Sequence, residues 1–177
     1  MKERNNYYQM IDYEKIYKII GELTPIKADC GALCQKACCV GDSDAGMYLY
    51  PGEEKLYNKD NGFGRVRKSD FSYSFEGRNR RVLIFICDGT CDRERRPLAC
   101  RVFPFVPYID GDGKAEIIID SRAEIMCPLA VYADDIDFDD EFLDRIAKAF
   151  EAGLEHDEFT AFVKAHSELI DEFESTV

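Results

Sequence analysis

Cysteine clustering constrains this chain more than any other feature of its sequence. Seven of its eight cysteines fall in two runs, Cys30-x3-Cys34-x3-Cys38-Cys39 and Cys87-x3-Cys91-x8-Cys100. The eighth, Cys127, stands alone before Pro128. Thiolates spaced in this way can converge on one soft metal ion or iron–sulfur cluster without closing a long loop. All eight cysteines are therefore candidate metal ligands, and either one four-cysteine site with further thiols beside it or two four-thiolate sites are possible.

A disulfide framework is the alternative that an even number of cysteines would predict in a small secreted chain. The sequence argues against it, because residues 1–7 are polar and no apolar signal-peptide core follows. A chain of 177 residues can also bury a core without disulfides, and the adjacent Cys38 and Cys39 point in different directions. We therefore expect a cytoplasmic protein whose reduced cysteines serve metal or redox chemistry.

Composition is typical of a single soluble domain, with 46% hydrophobic and 33% charged residues. The net charge of −12 argues against nucleic acid as a partner, and no stretch is long enough to cross a membrane. Positive charge is nevertheless concentrated over residues 59–101, with 11 Lys or Arg against 6 Asp or Glu. This basic stretch either faces acidic helices elsewhere in the fold or offsets the charge of the thiolates.

Hydrophobic patterning predicts an α+β fold with short antiparallel strands and a helical C-terminal third. The strands are predicted in two hairpins, 71–75 with 81–86 and 105–109 with 115–120. A helix is predicted over 7–23, and two more begin near Asp139 and Asp157, because apolar residues recur there every three or four positions. We expect one domain over residues 1–177, in which a helical tail over 134–175 packs on a cysteine-rich metal-binding core over 27–128.

The first cysteine run has a spacing that suits a helical ridge. Cys30, Cys34 and Cys38 are each four residues apart, so a helix would place them on one side. Gly31 near the start and Gly41 after the end indicate a short helix or turn rather than a long helix.

The chemistry of the donors favours zinc or an iron–sulfur cluster, because thiolates are soft ligands. Histidine is nearly absent: His156 and His166 both lie in the acidic tail, and His166 falls on its apolar stripe, where a core histidine is expected. Any metal site should therefore be all-thiolate or thiolate with an external ligand. The spacing matches neither the radical S-adenosylmethionine pattern nor the C-x-x-C motif of thioredoxin-like proteins.

The second cysteine run lies within a longer motif. It contains Gly89-Thr90-Cys91, followed by Arg96-Pro97-Leu98-Ala99-Cys100-Arg101-Val102-Phe103-Pro104. Together with the upstream Cys38-Cys39 pair, it resembles the bacterial and archaeal zinc- or iron-chelating domain family, which has a C-x-x-C-x-x-C-C pattern (CxxCxxCC) followed by G-x-C and R-P-x-x-C-R-x-F-P. The first run departs from that pattern by one extra residue in each gap. The resemblance covers about residues 30–105.

This resemblance implies a metal-binding protein that holds zinc or an iron–sulfur cluster through its cysteines. Relatives of the family include flagellin lysine N-methylases, which are longer chains. An enzyme is therefore the alternative hypothesis, namely an iron–sulfur or zinc-dependent group-transfer enzyme of the protein lysine N-methylase type. That alternative would add a protein substrate to the metal ion as a partner.

Two arginines beside Cys100 are candidate supporting residues for the cofactor. Arg96 and Arg101 can donate hydrogen bonds to a thiolate or hold an acidic substrate. Salt bridges with the acidic tail are the alternative role. Pro97 and Pro104 restrict the backbone on either side, so a rigid turn is predicted around Cys100.

Overall fold

The computed structural model of the chain describes residues 10–29, 31–39, 46–57, 62–89 and 93–176. Helix and antiparallel strand are mixed within these ranges, which confirms the predicted α+β class. The predicted ligands Cys30 and Cys91 and the side chain of Cys39 lie outside the described residues, as do positions 7–9 of the first predicted helix.

The described ranges contain six α-helices: α1 (Tyr13–Ile20), α2 (Gly31–Cys34), α3 (Leu98–Val102), α4 (Pro128–Val131), α5 (Asp140–Leu154) and α6 (Asp157–Glu174). The strands are β1 (Met47–Leu49), β2 (Gly64–Phe75), β3 (Arg78–Cys87), β4 (Phe105–Ile109) and β5 (Ala115–Ile119). Short 3₁₀ segments lie at Ala37–Cys39, Glu53–Leu56, Arg93–Arg95, Ser121–Ile125 and Ala133–Asp135.

The larger sheet has the strand order β1-β3-β2, with both pairs antiparallel. Its hairpin turn is shorter than the predicted one, because only Glu76 and Gly77 separate β2 from β3. Both residues have positive φ, at 50° and 71°, which suits the tight two-residue turns that match the twist of paired strands. The register of β2 shifts between Lys68 and Ser72, so this strand extends past a bulge and begins seven residues before the predicted one.

The second hairpin, β4 with β5, agrees with the predicted strands to within one residue. Helix α6 packs on β2 and β4 and is joined to them by side-chain hydrogen bonds. The backbone N–H of Ile109 donates to Ser167 at 2.9 Å, and the Tyr73 hydroxyl donates to Glu158 at 3.1 Å. The last helix therefore ties the two sheets together.

The two long C-terminal helices begin where the sequence predicts. Asp139 caps α5 by accepting a hydrogen bond from the N–H of Phe142 at 3.1 Å. A methyl group on Gly153 would lie 2.6 Å from the Phe159 ring, so only glycine lets the two helices approach this closely. Their apolar faces form much of the main core, which includes the fully buried residues Phe142, Ile146, Phe159, Phe162 and Val163.

Helix α1 is shorter than the predicted segment 7–23. Its first turn is capped by Asp12, which accepts a hydrogen bond from the N–H of Lys15 at 3.0 Å. Gly21 ends the helix with a φ of 65°, a left-handed conformation that glycine adopts without strain. Apolar spacing alone therefore overestimated this helix, whereas the cap and the glycine mark its ends.

Candidate metal centre

Five cysteines from five separate segments line one cavity of about 300 Å³. They are Cys34 at the end of α2, Cys38 in the following 3₁₀ segment, Cys87 at the end of β3, Cys100 in α3 and Cys127 at the start of α4. These residues form no disulfide with one another. Cysteines from the described parts of both runs therefore line the same cavity, together with the isolated Cys127.

Cys87 is held by the edge of the larger sheet. It pairs with Gly64 across the β2–β3 ladder, and the next residue, Asp88, donates its N–H to the carbonyl of Phe63 at 2.9 Å. A methyl group on Gly64 would lie 2.5 Å from the carbonyl oxygen of Ile86, so the strands pack too closely here for another residue. The Cys87 sulfur accepts the N–H of Gly89 at 3.4 Å.

Cys100 lies in the middle of α3, where the sequence predicts a rigid turn. The structure has a five-residue helix instead, with Pro97 immediately before its first residue. Leu98 and Val102 are fully buried in the main core. These two anchors fix the helix and bring Cys100 to the cavity.

Cys127 is the most enclosed of the described cysteines, at 7% exposure. Burial raises the pKa of its thiol, and the nearby Cys34 adds to this rise, while the backbone N–H groups of Ala130 and Leu129 oppose it. Two thiolates in this position would repel each other.

Cys34 and Cys38 are not on one continuous helix. Gln35 and Lys36 have positive φ values of 51° and 60°, which break α2 from the following 3₁₀ segment. The prediction of a short helix or turn is therefore confirmed, although the helical ridge is not. Both cysteines nevertheless reach the same cavity.

A second cavity, of about 710 Å³, adjoins the first. Cys38, Cys87 and Cys100 line both cavities. The second is also lined by Arg67 and Lys68 beside the bulge of β2. Groups bound at these three thiols would therefore be reachable from two sides.

Arg101 organises the loop that carries Cys100. Its Nε donates to the carbonyl of Arg96 at 2.8 Å, and its Nη2 donates to the carbonyl of Glu94. The guanidinium also stacks 4.2 Å from the centre of the Tyr17 ring. These hydrogen bonds of Arg101 thus run to its own loop rather than to the acidic tail. Both predicted arginines line the cavity, together with Arg93.

Glu53 is a buried carboxyl that is not among the residues predicted from the sequence. It is fully buried and accepts hydrogen bonds from the N–H groups of Leu98 and Tyr50 at 2.6 and 2.9 Å and from the Tyr17 hydroxyl. Burial raises its pKa to about 7, although these hydrogen bonds and Arg101 lower it. The one sequence signal was the position of this Glu three residues after Tyr50. A capping box has the same spacing, but it begins with Ser or Thr, and Tyr50 stands in that place here.

A second polar cluster supports the segment that leads to Cys127. Asp120 binds Arg122 through two side-chain hydrogen bonds of 2.8 and 2.6 Å. Arg122 in turn lies 2.6 Å from Nε2 of His166 in α6. His166 is buried, as its position on the apolar stripe predicts.

Comparison of the chain with protein-family models, with curated proteins and with solved structures found no match. Membership of the zinc- or iron-chelating family therefore stays a prediction. Within the described residues, no three or more His, Cys, Asp or Glu side chains form a group that could hold a metal ion. None of the helices in those ranges is long and apolar enough to cross a membrane.

Proposed function

We propose that this protein binds zinc or an iron–sulfur cluster through cysteine thiolates. The observation that carries this proposal is the convergence of five cysteines from five segments on one cavity: Cys34, Cys38, Cys87, Cys100 and Cys127. Cys30, Cys39 and Cys91 are the other three candidate ligands of the metal. Thiolates are the ligands that zinc, iron–sulfur clusters and cuprous copper select.

The charges around the cavity support thiolate ligation. Its walls include four cationic side chains, Lys36, Arg93, Arg96 and Arg101, against the two acids Glu22 and Asp29. Arg93 is paired with Asp29 at 3.8 Å. An all-thiolate metal centre carries net negative charge, and nearby cations stabilise it in a partly buried site.

A group-transfer enzyme is the second candidate, and the adjoining cavity is the observation that favours it. A purely structural metal site is closed, whereas a catalytic site keeps access for a substrate. The cavity beside Cys38, Cys87 and Cys100 provides such access. Arg67 and Lys68 on its wall would then face the substrate.

Anaerobic purification followed by metal analysis tests the proposal. We expect either stoichiometric zinc in a colourless protein or iron and acid-labile sulfide in a brown one, and this result also identifies the metal. Cys100→Ser and Cys127→Ser should each lower the bound metal, because each removes a thiolate from the cavity. Ser74→Ala, an exposed change on β2, is the control and should retain it. Protein without metal after anaerobic purification and reconstitution would overturn the proposal.

A further inference from the structure

The carboxyl of Glu53 connects segments that are far apart in the sequence. Its Oε1 accepts hydrogen bonds from the Tyr17 hydroxyl of α1 and from the N–H of Leu98, and its Oε2 accepts from the N–H of Tyr50 after β1. Burying a carboxyl is costly unless donors satisfy its oxygens. Three donors from three segments satisfy the carboxylate oxygens. The Glu53 carboxylate therefore fixes the positions of these segments relative to one another.

The bond to Leu98 bears directly on the cysteine cavity. Leu98 is the first residue of α3, and its N–H is one of those that a helix leaves without an internal partner. Cys100 follows two residues later in the same short helix. A helix of five residues turns as a unit, so the anchor at Leu98 sets where the Cys100 sulfur lies.

A second set of contacts joins Glu53 to the loop before α3. The Tyr17 hydroxyl lies 3.2 Å from that of Tyr57, which donates to the carbonyl of Arg95 at 3.0 Å. The Tyr17 ring is also the surface on which Arg101 stacks. The loop that leads to Cys100 is therefore linked to the same buried carboxyl at two points, indirectly at Arg95 through the two tyrosines and directly at Leu98.

We propose that Glu53 is a positioning residue for the thiolate metal site, which holds α3 so that Cys100 lies at the cavity with the other cysteines. This inference rests on the proposed metal-binding function. Glu53 does not touch the cavity. It acts through the backbone of Leu98 and the tyrosine pair, as groups behind a metal ligand commonly do.

Three variants test this role: Glu53→Gln, Tyr17→Phe and, as a matched control, Glu54→Gln. The control makes the same chemical change at a half-buried neighbour for which no side-chain hydrogen bond to α3 is described. Zinc affinity is measured by competition with a chromophoric chelator, and thiolate ligation is measured from the absorption of Co²⁺-loaded protein. We expect Glu53→Gln to weaken Zn²⁺ binding about 10- to 100-fold, Tyr17→Phe to weaken it less, and Glu54→Gln to bind as the wild type does.

Alkylation of the metal-free protein by iodoacetamide separates positioning from general loss of stability. Peptide mapping follows Cys100 and Cys127 in the same sample. Local release of α3 should speed alkylation of Cys100 alone, whereas general unfolding would also expose Cys127, which is 7% exposed in the fold. If Glu53→Gln does not fold, Tyr17→Phe decides the question by the same two measurements.

The outcomes distinguish this inference from the proposed function. Wild-type protein that binds neither Zn²⁺ nor Co²⁺ and carries no cluster overturns the metal site and the positioning role together. If the wild type binds metal, and the folded variants match it in both Zn²⁺ affinity and Cys100 alkylation, only the positioning role is overturned.

Discussion

Arg122 donates from Nη2 to Nε2 of His166 at 2.6 Å and so joins the segment before Cys127 to the last helix. Because Nε2 accepts this bond, the imidazole is neutral and its proton is on Nδ1. Nδ1 is buried and has no hydrogen-bond partner in the described part of the chain. Burial, with a smaller contribution from Arg122, lowers the pKa of His166 to about 4, although Asp120 opposes the shift. Protonation would place two cations in contact, so this link exists only while the histidine is neutral.

The first prediction is a loss of stability in mild acid. The folded pKa of about 4 lies below the ordinary value of 6.5, so the unfolded chain takes up a proton first as the pH falls. The contribution of His166 to the free energy of unfolding is therefore fully present above pH 6.5. As the pH falls from 6.5 to 4, this contribution of about 3 kcal/mol is lost. Urea unfolding of metal-free protein across this range measures it.

Two histidine variants provide the comparison for this pH dependence. His166→Phe keeps an aromatic ring beside Phe162. In this variant the free energy of unfolding should fall less steeply between pH 6.5 and 4, whereas His156→Gln should show the same fall as the wild type. Equal slopes for His166→Phe and the wild type would show that His166 does not titrate in this way.

The second prediction concerns the oxidation state of the cysteines. The five described cysteines form no disulfide with one another, and a metal site requires all of its ligands as thiolates. Thiol titration of protein purified without reductant, then denatured and stripped of metal, should find nearly all eight cysteines reduced. A count of four or fewer would support the disulfide alternative.

The third prediction is that Arg101→Lys weakens metal binding. Lysine cannot reproduce the bonds to the carbonyls of Arg96 and Glu94 together with the stacking on Tyr17, because these need a planar guanidinium. The loop around Cys100 should loosen, and Zn²⁺ affinity should fall about tenfold. Arg78→Lys, an exposed change at the hairpin turn, is the control. If both variants bound Zn²⁺ equally tightly, Arg101 would have no role in supporting the metal site.

The sequence predicted the regular elements better than the contacts that position the cysteines. Both C-terminal helices and the β4–β5 hairpin follow from apolar spacing and short-range caps, which a sequence displays directly. The link between Glu53 and Leu98 spans 45 residues and involves a backbone N–H, so no side-chain pattern marks it. The break at Gln35 and Lys36 was equally hidden, since both residues favour helices and yet have positive φ here.

Cys127 shows the same limit for the candidate site. Its inclusion among the predicted ligands depended on residue type alone, because it lies 27 positions after Cys100 and has no spacing motif. The structure brings it to the cavity through the Asp120–Arg122–His166 cluster and the start of α4. Such a convergence depends on packing between elements, which local spacing does not encode.

The last prediction is that metal removal loosens the cysteine segments before the C-terminal helices. Helix α2 buries none of its residues, whereas α5 and α6 bury continuous apolar faces. A structural zinc site adds binding free energy on the order of 10 kcal/mol to the fold that forms it, and segments without a core of their own depend on it most. Limited proteolysis of chelated protein should therefore cut within 27–46 or 88–101 before it cuts α5 or α6, while circular dichroism retains the helical signal. Equal resistance of the chelated and metal-loaded forms would mean that the metal is not structural, and would favour a catalytic centre beside the second cavity.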